Sequence, residues 1–562
     1  MKLPSFFLLL ALAVPAAAQK IKVKTKSPVA PVAAPAPAEA MTPVPVAPPT
    51  KQAPVEADWK DHYAAQITAE RLRTHLAVLA SDEYEGRETG EKGQHLAANY
   101  VAVQFKTAGL TGPVATNAAN PYLQPFQLEH LVWGTDPTLT VGKTKYKWLI
   151  DFYGRGDAGF DKETLVQPVF VGYGIEQPGY SDYAGKSVAG KDLLILEGEP
   201  AAADGTPLLG TGGEPSKWGR DYRAKAALAA AKGARSVLFV NFEPNANFAK
   251  YAARLAPALA KPSIVMAGEK PDRAPAFFVS PAVGYALLGA KVEAVRAYLD
   301  KINGAKKPVV SPFKVNKLKI KAAKVRTPFT TENALGFIEG SDRKAEVLVI
   351  SAHHDHLGVI DGQVYNGADD DGSGTSSILN LAEAFARAKA EGHGPRRSLL
   401  FLSVTGEEEG LYGSEYYAGH PVFELKNTVA DLNVDMVGRT DDAHEGKPDY
   451  VYVIGSDKLA SQLKVAVESA NKQYTHLDLD YRFDDPADPN RFYYRSDHYN
   501  FAVKKIPVAF FFNGVHADYH QASDEIEKIQ FDKLEARARL VFFVAWDVAN
   551  REERLVVDSD KP

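Results

Sequence analysis

Residues 347–408 contain two strand-like apolar runs, and each run ends directly in a cluster of histidine, aspartate or glutamate. The runs cover residues 347–350 and 399–404, and their length and flanking turn residues are typical of parallel strands buried on both faces. The same pattern recurs in residues 428–435 and 506–520. Because ligands bind beyond the carboxyl ends of such strands in an open α/β sheet, these segments predict a single functional edge.

Composition limits the chemistry available at that edge. The chain has 562 residues, enough for two or three domains, and its 45% hydrophobic and 24% charged content is ordinary for a globular protein. A formal net charge of −5 offers no electrostatic case for binding nucleic acid or an anionic membrane. The chain has no cysteine, which excludes disulfides, a thiol nucleophile and thiolate metal ligands. Any metal must therefore be bound by His, Asp and Glu, which suit zinc, manganese or cobalt.

The N-terminal segment has the pattern of an exported protein. Residues 1–18 combine Lys2, a short apolar run and three alanines before Gln19, which predicts a secretory signal peptide; a buried N-terminal helix is the alternative. Residues 19–57 are rich in Pro, Ala and Val, and we expect a disordered spacer there. The mature protein is thus expected in the periplasm or outside the cell, without membrane insertion once the signal is removed.

The rest of the sequence divides into three segments. Residues 58–140 begin with two helical patterns, the first capped by Thr68, and continue with alternating strands. Residues 141–310 show short Val/Ile/Leu strands, Gly-rich turns and one Ala-rich helix at about residues 222–232, which predicts a small β-rich inserted module. Residues 311–555 return to strands and carry the doubly wound region, with helices at about residues 375–390 and 530–550.

Five groups of side chains near the predicted edge are candidate metal ligands or bases. His353 and Asp355 share a face of an extended segment, and a carboxylate beside a ligand histidine fixes the ring tautomer. Three aspartates precede a helix, three glutamates follow a strand, Asp435 lies in an apolar strand and His520 lies in a loop. The alternatives are a surface histidine cluster, a solvated helix start, an exposed acidic turn and a loop histidine. Together the groups predict a two-metal site, in which an aspartate bridges ions about 3.5–4 Å apart.

Six motifs in the chain resemble the successive motifs of a known enzyme family. They read AHHDHLG, NGADDDGSG, TGEEEGLYGS, NVDMVGR, RSDHYNFA and GVHADYHQASDEIEKI. Their order and spacing resemble the co-catalytic di-zinc aminopeptidases, peptidase family M28, over about residues 60–140 and 311–550. The section between, with VFVGYGI and KSVAGKDLLILEGEP, resembles the protease-associated domain often inserted in this family. The resemblance implies a three-layer α/β/α zinc peptidase domain with a mostly parallel mixed sheet, interrupted by the small β-rich domain.

The resemblance also implies two Zn²⁺ per chain and five protein ligands. His353 and Asp435 would bind one zinc ion. Glu408 and His520 would bind the other, and Asp370 would bridge the two.

Three further residues receive catalytic roles from the same resemblance. Glu407 would be the general base, Asp355 would orient His353, and Tyr519 would hydrogen-bond the developing oxyanion. The implied function is a secreted exopeptidase that removes N-terminal residues from peptide substrates with a free N-terminus. A carboxypeptidase, a glutaminyl cyclase-like enzyme and a non-catalytic binding protein on the same fold are the alternatives.

Overall fold

The computed structural model describes residues 58–202, 204–242, 247–271, 273–305 and 308–560. The chain divides into two compact units, Met1–His62 and Tyr63–Pro562. In the first unit the structure describes residues 58–62, where the first helix begins. The predicted signal peptide and spacer, residues 1–57, lie outside the described residues.

The helices of the described chain occur in three groups along the sequence. They are α1 (Trp59–Ala64), α2 (Ala69–Leu79), α3 (Lys92–Thr107), α4 (Lys217–Arg220), α5 (Tyr222–Ala231), α6 (Phe248–Ala260), α7 (Pro281–Leu288), α8 (Val292–Ala305), α9 (Gly374–Ala390), α10 (Tyr412–Gly419), α11 (Ser461–Ala470), α12 (His498–Ala502) and α13 (Phe531–Asn550). None of these described helices combines the length and apolar character needed to cross a membrane.

The strands of the described residues form one large sheet and four smaller ones. In chain order they are β1 (Leu123–Trp133), β2 (Thr138–Val141), β3 (Thr144–Tyr146), β4 (Phe152–Arg155), β5 (Phe160–Val166), β6 (Pro168–Phe170), β7 (Glu176–Gln177), β8 (Tyr180–Ser181), β9 (Asp192–Leu196), β10 (Ser236–Val240), β11 (Ser263–Met266), β12 (Ala276–Val279), β13 (Leu318–Ala322), β14 (Lys324–Ile338), β15 (Arg343–His353), β16 (Gly358–Ile360), β17 (Gln363–Tyr365), β18 (Arg397–Val404), β19 (Thr428–Val434), β20 (Tyr450–Ile454), β21 (Asp478–Asp480) and β22 (Val508–Phe512).

The large sheet has nine strands in the order β11-β1-β14-β18-β15-β19-β22-β20-β21. Its four central strands, β18, β15, β19 and β22, run parallel to one another, as their fully buried apolar runs predict. Strands β11, β1 and β14 extend one side with antiparallel pairs, and β20 pairs antiparallel with β22 on the other. The sheet is therefore mixed, and the predicted α/β fold class is confirmed.

Helices cover both faces of this sheet, because alternate residues of a buried strand point to opposite sides. Leu348 and Ile350 of β15 belong to the core cluster that includes α2, α9, α11 and α13. Val347 and Val349 of the same strand belong to the cluster on the other face, with α10 and α12. The peptidase-like region therefore has three layers, helix on sheet on helix.

The region between β1 and β13 is itself an α/β structure. Its five-stranded sheet has the order β4-β12-β10-β9-β6, and only β4 is antiparallel to its neighbour. One face of β10 packs with α7 and α8, and the other packs with α5 and α6. The sequence pattern indicated one helix here, and α6, α7 and α8 were missed. Two neighbouring residues were the available signal for α7. Ser280 is an N-cap whose side chain accepts from the Val283 amide, and Pro281 occupies the first helical position.

The inserted region is joined to the large sheet by backbone pairing. Strand β11 lies within residues 141–310, yet it pairs with β1 and forms an edge of the nine-stranded sheet. The Tyr412 hydroxyl, at the start of α10, donates to the Ile264 carbonyl of β11 at 3.1 Å. The predicted boundaries therefore do not separate two independent sheets.

Candidate active site

The functional side chains follow three neighbouring parallel strands. β15 ends at His353, β18 ends two residues before Gly406 and the three glutamates, and β19 ends one residue before Asp435. Carboxyl ends of parallel strands lie at the same edge of a sheet, so residues far apart in sequence converge there.

His353, Asp370 and Asp435 form the first of two compact groups at this edge. The His353 Nε2 atom lies 3.3 Å from Asp370 Oδ1 and 3.7 Å from Asp435 Oδ1. All three side chains are buried. The second carboxylate oxygen of Asp435 accepts from the Ser496 hydroxyl at 2.7 Å, which leaves Oδ1 directed at the histidine.

The second group contains Asp370 again, together with Glu408 and His520. The His520 Nε2 atom lies 3.1 Å from Asp370 Oδ2 and 3.1 Å from Glu408 Oε2. Burial alone would lower the pKa of His520, but Glu408 and Asp370 raise it to about 10. The two oxygens of Asp370 thus face two different groups, which is the geometry a bridging carboxylate needs.

His356 belongs to the second group and was missed in the sequence. Its Nδ1 atom lies 2.9 Å from Glu408 Oε1 and 3.9 Å from Asp370 Oδ2, and the ring is buried. His354, two residues earlier, points elsewhere: its Nδ1 lies 3.0 Å from the Ser403 hydroxyl, and burial lowers its pKa to about 3. The AHHDH motif itself was the available signal, but spacing cannot tell which of its three histidines face the edge.

The two groups fit divalent metal ions. Several of their buried polar atoms have no hydrogen-bond partner in the described part of the chain: His353 Nε2, His356 Nδ1 and Nε2, Glu408 Oε1 and Asp435 Oδ1. Burying polar and charged groups without partners is costly, and a cation held between them removes that cost. Donor sets of imidazole nitrogen and carboxylate oxygen at this spacing suit zinc.

The three consecutive aspartates have three different contacts. Asp370 lies between the two groups, whereas Asp369 accepts from the Gly438 amide at 2.6 Å and lies 3.1 Å from His516 Nε2. Asp371 accepts from the His353 amide at 3.2 Å and from the Gly374 amide at 2.7 Å, at the start of α9. Asp369 and Asp371 therefore hold the surrounding loops. The peptide bond between Asp370 and Asp371 is cis.

Asp355 contacts His353 in a different way from the one predicted. His353 Nδ1 lies 3.1 Å from the Asp355 main-chain carbonyl and 3.6 Å from its carboxylate. The carboxylate accepts from the Thr89 hydroxyl at 2.9 Å and from the amides of Glu407 and Glu408 at 3.3 and 3.4 Å. Asp355 thereby ties the histidine segment to the glutamate turn, and the carbonyl sets the His353 ring.

A loop that precedes α3 supplies two more supporting residues that the motifs did not indicate. The fully buried Arg87 guanidinium donates to the carbonyls of Leu79, His354, Asn366 and Gly367. The Thr89 hydroxyl donates to Asp355 and accepts from the Gly406 amide at 3.0 Å. Apart from Leu79, the partners named here lie more than 250 positions away in the chain.

Replacing Thr89 with valine is expected to lower activity or metal affinity by about 10- to 100-fold, the usual cost of losing an outer-shell partner. Valine keeps the shape of threonine, so the change removes the hydrogen bonds with Asp355, Gly406 and the Thr405 hydroxyl and little else. Metal titration and steady-state kinetics measure the effect. Thr107→Val is the control, since that exposed hydroxyl donates only to the Val103 carbonyl within α3. Equal behaviour of the two variants would contradict the support role.

Glu407 and Tyr519 line the cleft that opens onto the two groups. Glu407 lies in a turn, where its carbonyl accepts from the amides of Gly410 and Leu411. Burial, with Glu408 and Asp435 nearby, raises the pKa of Glu407 well above its usual range. Tyr519 stacks on His520 with ring centroids 3.8 Å apart and lines the same cleft. The predicted site residues are thus brought together, while their individual roles stay predictions.

The structure is a mixed α/β sheet whose edge carries two histidine–carboxylate groups with Asp370 in common, and this arrangement defines a candidate metal centre. Residues 333–545 match the model of peptidase family M28.

Sequence relatives and a solved structure show what else the chain is similar to. A protein described as a probable zinc metalloprotease from Pyrenophora tritici-repentis is 37% identical over 125 residues, which is 21% of this chain and 24% of the relative. Aminopeptidase YwaD from Bacillus subtilis is 27% identical over 245 residues, 42% of this chain and 48% of the relative. The chain thus matches at most about half the length of these relatives. The structure of an aminopeptidase from Aneurinibacillus sp. strain AM-1 covers 89% of this chain and 98% of its own, with a TM-score of 0.51 and 22% identity, which establishes the shared fold.

Proposed function

We propose that this protein is a di-zinc aminopeptidase that hydrolyses the N-terminal residue from peptides. The observation that carries the proposal is the position of Asp370, whose two carboxylate oxygens face His353 on one side and His520 on the other. Glu407 lines the cleft next to both groups. The family match of residues 333–545 and the relatives named aminopeptidases support the same activity.

The proposed metal ligands are the five predicted residues and His356. His353 and Asp435 would hold one ion, Glu408 and His520 would hold the other, and Asp370 would hold both. His356 Nδ1 lies 2.9 Å from Glu408 and 3.9 Å from Asp370, close enough for the three side chains to bind the same ion. When bound, two zinc ions at these ligands would polarise the scissile carbonyl and lower the pKa of water at the site.

The chain's own residues would do the rest of the chemistry. Glu407 would accept the proton of the attacking water and return it to the leaving amine, a role that suits a carboxylate whose pKa is raised by burial. The Tyr519 hydroxyl would donate to the oxyanion of the tetrahedral intermediate. Asp355 and Thr89 would hold the Glu407 turn in place through its amide and through Gly406.

The amino-terminal polarity is proposed from the charge of the cleft. Of the three acids among the described residues that line it, Glu407 is the one that is not a proposed metal ligand, and such a carboxylate favours the α-ammonium group of a free N-terminus. We also propose export from the cytoplasm, on the pattern of residues 1–18, and N-terminal sequencing that finds Met1 retained would contradict it.

Acetylating the N-terminus of a peptide substrate is expected to abolish cleavage, because the cleft would lose its ammonium partner. Amidating the C-terminus of the same peptide is expected to leave the rate within about 2-fold, since that end lies outside the recognised part. Mass spectrometry of the products identifies which end is shortened. The reverse pattern would indicate a carboxypeptidase. Conversion of an N-terminal glutamine to pyroglutamate on the intact peptide, with release of ammonia, would indicate a cyclase, and no turnover of any peptide would indicate a binding protein.

A further inference from the structure

The cleft beside the two metal groups has an apolar wall and one basic residue. The apolar wall consists of Met436, Phe492, Phe510, Phe512 and Val515, and the carboxylates described above line the same cleft. Arg495 is the only lysine or arginine among the described residues that line the cleft. In a cleft of this kind the methylene groups of a substrate side chain can pack along the aromatic rings. The exposed guanidinium of Arg495 is then available to the polar end of that side chain.

The backbone at Arg495 is held in place from both sides. Its amide donates to the Phe492 carbonyl at 3.0 Å, and the hydroxyl of the next residue, Ser496, donates to Asp435 at 2.7 Å. The guanidinium lies over the Phe492 ring, 5.1 Å from its centroid. The Arg495 backbone is therefore held close to Asp435, a proposed metal ligand, whereas the Arg495 side chain is exposed.

The Arg495 guanidinium has spare donors. Its Nη2 donates to the Tyr519 hydroxyl at 3.2 Å, and no carboxylate of the described chain lies within 4.0 Å of it. Nearby arginines differ: Arg482 is paired with Asp480, and Arg439 with Asp518 at 3.0 Å. A guanidinium has five N–H donors in a planar fork that matches a carboxylate. Asp370 and Asp435 of the cleft are directed at the metal groups, so the remaining donors of this fork are open to a carboxylate of the substrate.

From this arrangement we propose that Arg495 selects substrates that carry a carboxylate, with an N-terminal glutamate or aspartate side chain lying along the aromatic wall and ending at the guanidinium. The inference rests on the proposed aminopeptidase function and adds the substrate class to it. The same chemistry is also offered by the C-terminal carboxylate of a dipeptide, and the test separates the two sources.

The test compares matched substrates on the wild-type protein and on Arg495→Met. Glutamyl and glutaminyl 4-nitroanilides have nearly the same shape and differ in charge, and leucyl 4-nitroanilide reports the basal activity. The wild type is expected to favour glutamyl over glutaminyl in kcat/KM. Arg495→Met is expected to lower the glutamyl value by about 10- to 100-fold, the usual cost of losing a charge-assisted hydrogen bond, and the leucyl value by less than about 3-fold. Arg495→Lys should fall between the two.

The control variant is Arg491→Met, which removes a positive charge from the same loop. Arg491 is exposed, lies over the Tyr494 ring at 4.6 Å and does not line the cleft. It should keep the glutamyl preference. Dipeptides with a free and an amidated C-terminus form the second arm: a loss on Arg495→Met confined to the free dipeptide assigns the carboxylate to the C-terminus, and a loss confined to glutamyl substrates assigns it to the side chain.

Two results would overturn the inference. Equal losses for glutamyl, glutaminyl and leucyl substrates, or no loss at all, would show that Arg495 does not read a carboxylate while the aminopeptidase function stands. A wild-type protein that hydrolyses none of the anilides or dipeptides would overturn the proposed function and this inference together.

Discussion

Replacing Asp370 with asparagine is expected to release both metal ions and to lower kcat by about 10⁴-fold or more. The two oxygens of this side chain face His353 at 3.3 Å and His520 at 3.1 Å, so one substitution weakens both groups at once. An asparagine has nearly the same size and keeps one carbonyl oxygen, but it lacks the charge and the second acceptor that a bridge needs. Metal-assisted hydrolysis gains several kcal/mol of transition-state stabilisation from the ions, which corresponds to a loss of this size.

Metal content per chain, measured after gel filtration, decides the outcome. His356→Ala is the matched variant, because His356 contacts only the second group and its loss should release at most one ion. Asp369→Asn is the control within the same run of aspartates, since Asp369 contacts the Gly438 amide and His516 and faces neither group of ligands. An Asp370→Asn protein that keeps two ions would contradict the bridging role.

The neighbours Glu407 and Glu408 are expected to respond to the same substitution in different ways. Glu407→Gln keeps the shape of the side chain but cannot accept a proton. The variant should retain both ions, and its kcat should fall by a factor of about 10²–10⁴, the usual contribution of a positioned general base. Glu408→Gln removes an anionic ligand that lies 3.1 Å from His520 and 2.9 Å from His356. It should therefore lower occupancy of one metal site, with partial recovery of the rate in excess zinc.

Zinc stoichiometry and kcat, measured on both variants, separate the two roles. Loss of a metal by Glu407→Gln but not by Glu408→Gln would show that the glutamate run is assigned one residue out of register. Unchanged rate and metal content in both variants would contradict the di-zinc proposal as a whole.

The central sheet and its functional edge were predictable from local sequence. Buried parallel strands leave long apolar runs, and polar residues that interrupt such runs abruptly mark the strand ends, as at His353 and Asp435. Helices α2, α3, α9 and α13 were equally visible, because an apolar stripe with helical spacing depends only on near neighbours in the chain. The secondary structure of the insert was less predictable. The short strands β9 and β10 and the short helix α7 are all mainly apolar, so composition does not separate strand from helix there.

The choice among neighbouring residues of the same type needed the tertiary structure. Nothing local distinguishes Asp370 from Asp369 and Asp371, and only the Gly438 and His353 amides, brought in by folding, show which two face away. His354 and His356 illustrate the same point. Their environments come from β18 and from the Glu408 turn, both about fifty residues further along the chain.

The sequence by itself determined the fold class, which apolar strands end in functional residues, and the residue types that meet at that edge. These features could be read because periodicity and the chemistry of strand ends are properties of short segments. Only the tertiary structure decided which atoms converge: Arg87 and Thr89 reach the site from the N-terminal part, and Arg495 reaches the cleft from a loop after β21. These contacts join residues separated by tens to hundreds of positions. Distances across such separations depend on how the whole sheet and its helices pack, which no local pattern records.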